Sequence, residues 1–237
     1  MDGLVRYRTD KLQRPCAAWG MHGTNLLLAK LPRRVLRDIA AELETVELEI
    51  GQVLRAPHAQ WHVHFPLRCV LSVLVMVEES LSLEVALVGC EGIEGFPLEH
   101  KTGLPFPAAV QIGGAALQMG GEQLLAAMGR HPTLKTAVHD HGATLIAQIA
   151  TNAGCNHFHL LEPRLARRLL MTRDRVGSAT FHLTQEFLST LLAVRREGIS
   201  EAASSLQRQG LIEYHRGEMT ILNRAGLEAA SCACSRK

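Results

Sequence analysis

No run of apolar residues in this 237-residue chain approaches the length needed to span a bilayer, although 47% of its residues are hydrophobic. A signal peptide is also missing, because basic residues at positions 6, 8, 11 and 14 precede any apolar segment. These absences predict a cytoplasmic protein that has no membrane partner.

Local motifs for catalysis are missing as well. The sequence contains no P-loop, no G-x-S-x-G elbow and no metalloprotease helix motif. We therefore expect that the chain is not an enzyme.

The six cysteines form no C-x-x-C pair. Cys232 and Cys234 are the closest two, and they lack partners at the usual zinc-site spacing. Scattered cysteines in a cytoplasmic chain are expected to be free thiols, and we predict no metal site.

The most informative segment begins at Thr184, whose hydroxyl is suited to cap a helix. Apolar residues recur after it at helical spacing, and a short turn follows at Ala193–Val194. A second amphipathic helix is predicted from Arg195 to Gln209, with Gly210 directly after it. Two helices joined by so short a turn indicate a helix-turn-helix.

Two short strands are predicted next, around a tight turn at His215-Arg216-Gly217. This hairpin suits a β-wing with a basic tip, placed over DNA phosphates. The distribution of charge also favours DNA as the partner. Residues 160–237 carry twelve Lys and Arg against eight Asp and Glu, whereas residues 1–159 carry thirteen Lys and Arg against fifteen Asp and Glu. We therefore expect double-stranded DNA as the partner.

Upstream of this segment the pattern changes. From Val46 to Ile112, short runs of alternating apolar residues are separated by turn residues, which predicts an antiparallel sandwich or barrel. A short helix is predicted from Leu31 to Leu43.

A long helix is predicted from Pro132 to about Asn156. Its apolar stripe, broken by His141 and Gln148, consists of Leu134, Val138, Leu145 and Ile149. We interpret the stripe as the contact with a second copy of the chain. Packing against the chain's own sheets is the alternative.

Three segments of the chain together resemble the DNA-binding domain of Crp/Fnr-type transcription regulators. They are Leu183–Glu186, Val194–Glu197 and Leu206–Ile212. Weaker similarity reaches Glu84–Gly89 in the N-terminal half. The resemblance implies an α+β fold in four parts. They are a flexible arm (1–25), a jelly-roll-like antiparallel β-roll related to cyclic-nucleotide-binding domains (26–129), a dimerisation helix (130–158) and a winged helix-turn-helix (159–237).

The resemblance also implies which residues contact DNA. Base contacts are expected from Arg195, Arg196, Glu197 and Ser200. Arginine can bond guanine with two hydrogen bonds, and glutamate can accept one from cytosine. Phosphate contacts are expected from Thr184, Gln185, Glu186, Arg208, His215 and Arg216. Glu201 stands where family members commonly carry arginine, so the outer bases of the half-site are expected to differ.

Family members that bind cyclic AMP open their nucleotide cassette with Gly-Glu and close it with Arg-Ser or Arg-Thr. Here Phe96 follows the matching Gly95, and Phe106-Pro107 replaces the closing pair. We therefore predict that cyclic AMP binding is lost. The pocket is expected to be apolar, and its candidate residues are Gly95, Phe96, Leu98, Phe106 and Ile149.

Some members of this family are haem-based sensors, and the chain has twelve histidines. His62 and His64 share a strand face, whereas His139 and His141 point to different sides of a helix. Neither pair has the i, i+4 spacing of a helical metal site, but one axial histidine is enough for haem. Haem remains an alternative, as does an anionic ligand near Lys101.

The sequence thus predicts a homodimeric, sequence-specific regulator of Crp/Fnr type that binds a palindromic operator. It is expected to act with RNA polymerase, to associate with the nucleoid and to carry no cofactor. One alternative is a sensor of haem or another small ligand that acts through protein contacts. Another is a regulator whose β-roll serves only as a dimer scaffold.

Overall fold

The computed structural model describes residues 24–54, 61–78, 81–95 and 106–235. Two short helices come first, α1 over Leu26–Ala29 and α2 over Arg33–Ile39, and a 3-10 turn follows the second. Helix α2 lies inside the predicted segment, and Pro32 directly precedes it as its N-cap.

Asn25 lies at the predicted end of the N-terminal arm but belongs to the folded part of the chain. Its side-chain oxygen accepts from the N–H groups of Leu27 and Leu28, and its amide donates to the carbonyls of Pro66 and Gly92 at 3.1 and 2.8 Å. Only 1% of its surface is exposed. The predicted arm is therefore too long at this end, and the rest of it, up to position 23, lies outside the described residues.

Within the described residues, six strands form the predicted β-roll. They are β1 (Glu44–Leu48), β2 (His62–Pro66), β3 (Val70–Glu78), β4 (Leu81–Val88), β5 (Ala108–Ile112) and β6 (Gly114–Gly120). The strands pair into two antiparallel sheets with the orders β1-β6-β2 and β4-β3-β5. Leu48 of β1 and Leu71 of β3 belong to one buried cluster, so the two sheets enclose a common apolar interior.

Helix α3 (Gly121–Arg130) leads into α4 (Pro132–Phe158), which is the predicted long helix. Leu134 and Val138 are fully buried in a cluster with α2 and β2, and Leu145 is buried against the two sheets. These three residues cannot contact a second chain, because their own chain covers them. The predicted dimer stripe is wrong for them, and the alternative of packing within the chain is correct.

Polar side chains continue this inner face of α4. Gln148 accepts from the N–H of Leu87 at 2.6 Å and donates to the carbonyl of the same residue at 3.1 Å. The imidazole of His141 lies 3.0 Å from the carbonyl oxygen of Ile93, and burial lowers the pKa of this histidine. His141 and Gln148 therefore fix α4 to β4 and the loop after it.

The C-terminal half contains the two helices and two strands of the predicted winged helix-turn-helix, and four further elements. They are α5 (Leu161–Val176), β7 (Thr180–His182), α6 (Gln185–Leu192), α7 (Arg196–Arg208), β8 (Ile212–His215), β9 (Glu218–Ile221), α8 (Arg224–Ala230) and a last 3-10 turn (Ala233–Ser235). The strands form one antiparallel sheet, β7-β9-β8. Helices α6 and α7 with the β8–β9 hairpin confirm the winged helix-turn-helix. Of the helices that the structure describes, none is both long enough and apolar enough to cross a membrane.

The two halves share a packed interior. Leu188 of α6 lies in a cluster of buried apolar residues that also includes Leu74 of β3 and Ala109 of β5. Beside this cluster, the buried guanidinium of Arg168 on α5 pairs with the carboxylate of Glu84 on β4. The winged domain is therefore docked on the sheet β4-β3-β5 of its own chain.

Candidate nucleic-acid interface

The first helix of the motif, α6, presents its amino end to solvent. The hydroxyl oxygen of Thr184 accepts from the N–H of Phe187 at 3.1 Å, so this residue is the predicted N-cap. Thr184 and Glu186 are exposed, and Gln185 is half-buried. The carboxylate of Glu186 would repel a phosphate, so its predicted contact can be made only through the main-chain N–H.

The turn between the helices sets the direction of α7. Ala193 has a left-handed backbone with φ of 49° and ends α6, and the N–H of Val194 donates to the carbonyl of Ser189 at 3.0 Å. The inner faces of the two helices are held by buried side chains such as Leu192 and Ile199. The packing leaves the first turn of α7 directed away from the core.

The four predicted base-contact residues lie within the first two turns of α7. Arg195 is the N-cap of α7, and Arg196 and Glu197 are its first two residues; all three are exposed. Ser200, one turn later, is half-buried. Arg208 is exposed at the other end of α7, about 18 Å away at 1.5 Å per residue. It can therefore contact phosphates only at a different position along a groove.

The wing ends in a two-residue turn. Arg216 and Gly217 have φ of 49° and 83°, the combination found in the turns that best fit a twisted hairpin. His215 is thus the last residue of β8 rather than part of the turn, and it is exposed beside Arg216. Both predicted phosphate contacts of the wing lie at its tip.

Tyr214 fixes the base of the wing. Its hydroxyl donates to the carbonyl of Leu183 at 2.8 Å, and its main-chain N–H donates to Oε1 of Gln207 on α7 at 2.8 Å. Burial raises the pKa of Tyr214 to about 12. The wing and α7 therefore form one rigid surface with the start of α6.

The predicted effector pocket is described only in part, because Phe96 and Leu98 lie outside the described residues. Gly95 has φ of 80°, and a Cβ atom at this position would lie 2.6 Å from the carbonyl oxygen of His62. Phe106 and Ile149 pack against the same apolar cluster between the two sheets.

Two of the histidines considered for haem have partners within the protein. Nδ1 of His64 lies 2.9 Å from a carboxylate oxygen of Glu94, and both side chains are buried. His141 lies against the Ile93 carbonyl as described above. Either imidazole would have to give up its contact with Glu94 or with the Ile93 carbonyl before it could bind haem iron as an axial ligand.

Sequence reasoning missed one group of possible ligands. Cys155 and His159 at the end of α4 lie beside Cys232 and Cys234, so the tail cysteines do have partners. The local signal was the i, i+4 spacing of Cys155 and His159, which puts both side chains on one helix face. Cys155, Cys232 and Cys234 are thiols rather than disulfides, as is Cys69. The expectation of free thiols is wrong for Cys90, which is disulfide-bonded.

Comparison with known proteins gives one family match. A model of the Crp-like helix-turn-helix domain matches residues 163–230, which extend from α5 through α8. A sequence search of curated proteins finds no match.

Solved structures with the same fold cover most of the chain. FixK2 from Bradyrhizobium japonicum has a TM-score of 0.68 at 15% identity, with 81% of this chain and 98% of that chain covered. A Crp/Fnr-family transcriptional regulator from Eubacterium rectale has a TM-score of 0.65 at 16% identity, with 89% and 98% covered. The c-di-GMP-responsive global regulator CLP from Xanthomonas campestris has a TM-score of 0.64 at 12% identity, with 80% and 99% covered.

Proposed function

We propose that this chain, a Crp/Fnr-type transcription regulator with its Crp-like helix-turn-helix at residues 163–230, acts as a homodimer on a palindromic operator. Its activity is the regulation of transcription and not catalysis. The operator is bound in the cytoplasm, at the nucleoid, in contact with RNA polymerase.

The observation that carries the proposal is the exposure of Arg195, Arg196 and Glu197 together at the start of α7. Helices of this kind enter the major groove with their amino-terminal residues against base edges. Arg196 then reads guanine and Glu197 reads cytosine, since these donors and acceptors match those bases. The exposed tip of the wing supplies phosphate contacts that fix the register.

The second copy of the chain is expected on the outer face of α4. Six exposed residues recur there with spacings of four and three, as the a and d positions of a coiled coil do. This outer seam consists of His139, Ala143, Ile146, Ala150, Ala153 and His157. Ile146 is 68% exposed, and the alanines allow two helices to approach closely. The outer seam thus replaces the buried stripe as the dimer contact.

A two-fold dimer explains why the operator should be palindromic. Two recognition helices related by this symmetry meet successive major grooves when they are about 34 Å apart. A change in the β-roll can alter that spacing through α4, which packs on both sheets.

Cyclic AMP is not the proposed signal. The position of the phosphate-binding arginine in family members that bind this nucleotide is taken here by Phe106, which packs with apolar neighbours. An apolar side chain offers no compensation for the charge of a buried phosphate.

Selection from a library of random DNA duplexes tests the proposal, with and without cyclic AMP. The expected product is an inverted repeat whose half-site centres lie about 34 Å apart, recovered equally in both conditions. Recovery of no motif, of a single unrepeated motif, or of a repeat only with cyclic AMP would contradict it.

A further inference from the structure

Four side chains with metal-binding atoms meet where α4 ends and the winged domain begins. Cys155 lies in the last turn of α4, and His159 is the C-cap of the same helix. Cys232 and Cys234 come from the segment after α8. One ligand atom from each of the four lies within 4.8 Å of all the others.

The folding of the tail brings these residues together. Helix α8 is held by Leu227 in the core and by an ion pair between Arg224 and Asp174 of α5. The N–H of Cys232 then donates to the carbonyl of Pro163, in the first turn of α5, at 3.4 Å. The packing of α8 and this hydrogen bond therefore direct the tail cysteines to the end of α4.

The distances fit a single tetrahedral ion. With Zn–S bonds near 2.3 Å and Zn–N bonds near 2.0 Å, tetrahedral geometry requires about 3.8 Å between sulfurs and about 3.5 Å between sulfur and nitrogen. Sγ of Cys155 lies 3.4 Å from Sγ of Cys232, and Sγ of Cys234 lies 3.6 Å from Nδ1 of His159. The other pairs of ligand atoms lie within 4.8 Å of one another, so side-chain rotations that move these atoms by at most about 1.3 Å complete the site.

The donor set selects the class of metal. Three thiolates and one imidazole form a set that structural zinc sites use, with no position left for water or substrate. Oxygen-seeking ions such as Mg²⁺ and Ca²⁺ find no ligand of their kind in this set. The four ligands of an iron–sulfur cluster are shared among at least two irons, so they cannot all lie within 4.8 Å of one another as these four do.

Charges around the cluster suit a metal–thiolate centre. A Zn²⁺ ion with three thiolates has a net charge of minus one. Arg164 interacts electrostatically with Cys155 and Cys232, and Arg167 does so with Cys155. Both arginines carry a buried Nε atom without a hydrogen-bond partner, Arg167 being only 8% exposed. Their positive charges offset that of the loaded centre.

We propose that Cys155, His159, Cys232 and Cys234 bind one Zn²⁺ ion, which fastens the C-terminal tail to the junction of α4 and α5. Only His159 and Leu160 separate these two helices. The ion therefore fixes the angle between the dimer helix and the domain that reads DNA. This second consequence rests on the proposed function, whereas metal binding itself does not.

Elemental analysis of untagged protein, expressed with added zinc, tests the site directly. We expect one zinc per chain in the wild type, and less than about a tenth of that in Cys234→Ser and His159→Gln, since a closed site loses affinity with any ligand. Cys234 and His159 are the less buried ligands, so both variants should fold. The matched control is Cys69→Ser, a buried free cysteine in the β-roll that should keep full zinc content.

Cobalt gives a second readout that does not depend on activity. Co²⁺ added to the metal-free protein should produce the visible bands of tetrahedral cobalt and thiolate-to-cobalt charge transfer. These bands should disappear in Cys234→Ser. No stoichiometric metal in reduced wild-type protein, unchanged metal in both variants, or a Cys155–Cys232 disulfide in place of the metal would overturn the proposal.

The DNA readout separates the two proposals. Removal of zinc should weaken binding to the selected operator by about tenfold, a common size for coupled sites. Zinc binding in a protein that selects no DNA would contradict the proposed function and leave the site intact. Operator binding by a protein that binds no zinc would contradict the proposed zinc site and leave the proposed function intact.

Discussion

Arg216 is the most informative single residue of the wing, because it occupies the left-handed backbone region that side chains with a Cβ seldom adopt. Asparagine is favoured at this position of such a turn, and arginine is not. A strained residue at an exposed tip points to a role for its side chain. We attribute that role to a DNA phosphate.

The variant Arg216→Asn tests the charge of this side chain without disturbing the conformation of the turn. The variant keeps a residue suited to the left-handed conformation but removes the charge, so the hairpin should remain intact. We expect weaker operator binding and a salt slope reduced by about one per wing, measured by fluorescence anisotropy at several salt concentrations. Arg68→Asn, at an exposed site on the β-roll, should change neither quantity. An unchanged slope for Arg216→Asn would remove the wing from the interface.

Tyr214 gives a prediction on stability. Tyr214→Phe removes the hydrogen bond to the Leu183 carbonyl and should lower the free energy of unfolding by about 1 kcal/mol, measured with urea near neutral pH. Because burial raises the pKa of Tyr214 to about 12, the folded state holds the phenolic proton more tightly than the unfolded state.

The contribution of Tyr214 is therefore complete below about pH 10 and is lost as the pH rises from there toward 12. Urea titrations at about pH 8 and about pH 11 should show a smaller alkaline loss in Tyr214→Phe than in the wild type. An equal loss in both proteins would show that the hydroxyl is not buried as described.

At the scale of elements, α4 carries two seams with the same heptad spacing on opposite faces. The inner one, with Leu134, Val138 and Leu145, packs on its own chain, and the outer one is centred on exposed Ile146. Periodicity identifies which residues share a face of a helix. It does not say which neighbour covers that face, and this is why the sequence assigned the dimer contact to residues that pack within their own chain.

Ile146→Glu tests the outer seam. The substitution brings two carboxylates together across the proposed two-fold axis and should weaken the dimer by at least about tenfold. Light scattering with size-exclusion chromatography over a range of concentrations measures this directly. Ile50→Glu, which changes another exposed isoleucine on the β-roll, should leave the dimer unchanged. A dimer that survives Ile146→Glu would exclude this face of α4.

The winged motif was the most predictable element, because its signals are local. The cap at Thr184 and the glycine after α7 lie where the sequence indicates, and Gly210 has the expected positive φ. Alternating apolar residues between Val46 and Ile112 likewise predicted strands of the β-roll, but β6 lies beyond that range and was not predicted. The ligand cluster was not predictable in this way, since Cys155 and Cys232 lie 77 residues apart and meet only through the docking of α8 on α5.

At the scale of the whole molecule, the β-roll and the winged domain behave as one packed body. Leu74 and Ala109 lie in the core of the winged domain, and the Arg168–Glu84 pair is buried between the halves. A buried ion pair fixes geometry more than it adds stability. A structural change in the β-roll can therefore be transmitted to α7 through the packed interface between the two halves. It can also be transmitted through the chain segment that joins α4 to α5, where the proposed zinc site lies.

The proposed function depends on the reading of DNA sequence by the first turn of α7. Binding of the selected operator to Arg196→Ala/Glu197→Ala, measured by anisotropy beside the wild type, tests it most directly. We expect specific affinity to fall by about a hundredfold or more, since both half-sites lose their base contacts, while the dimer and weak non-specific binding persist. Arg33→Ala/Glu44→Ala removes the same charges from exposed sites on the N-terminal half and should bind like the wild type. Undiminished preference of the Arg196→Ala/Glu197→Ala protein for the operator would show that the first turn of α7 does not read DNA sequence.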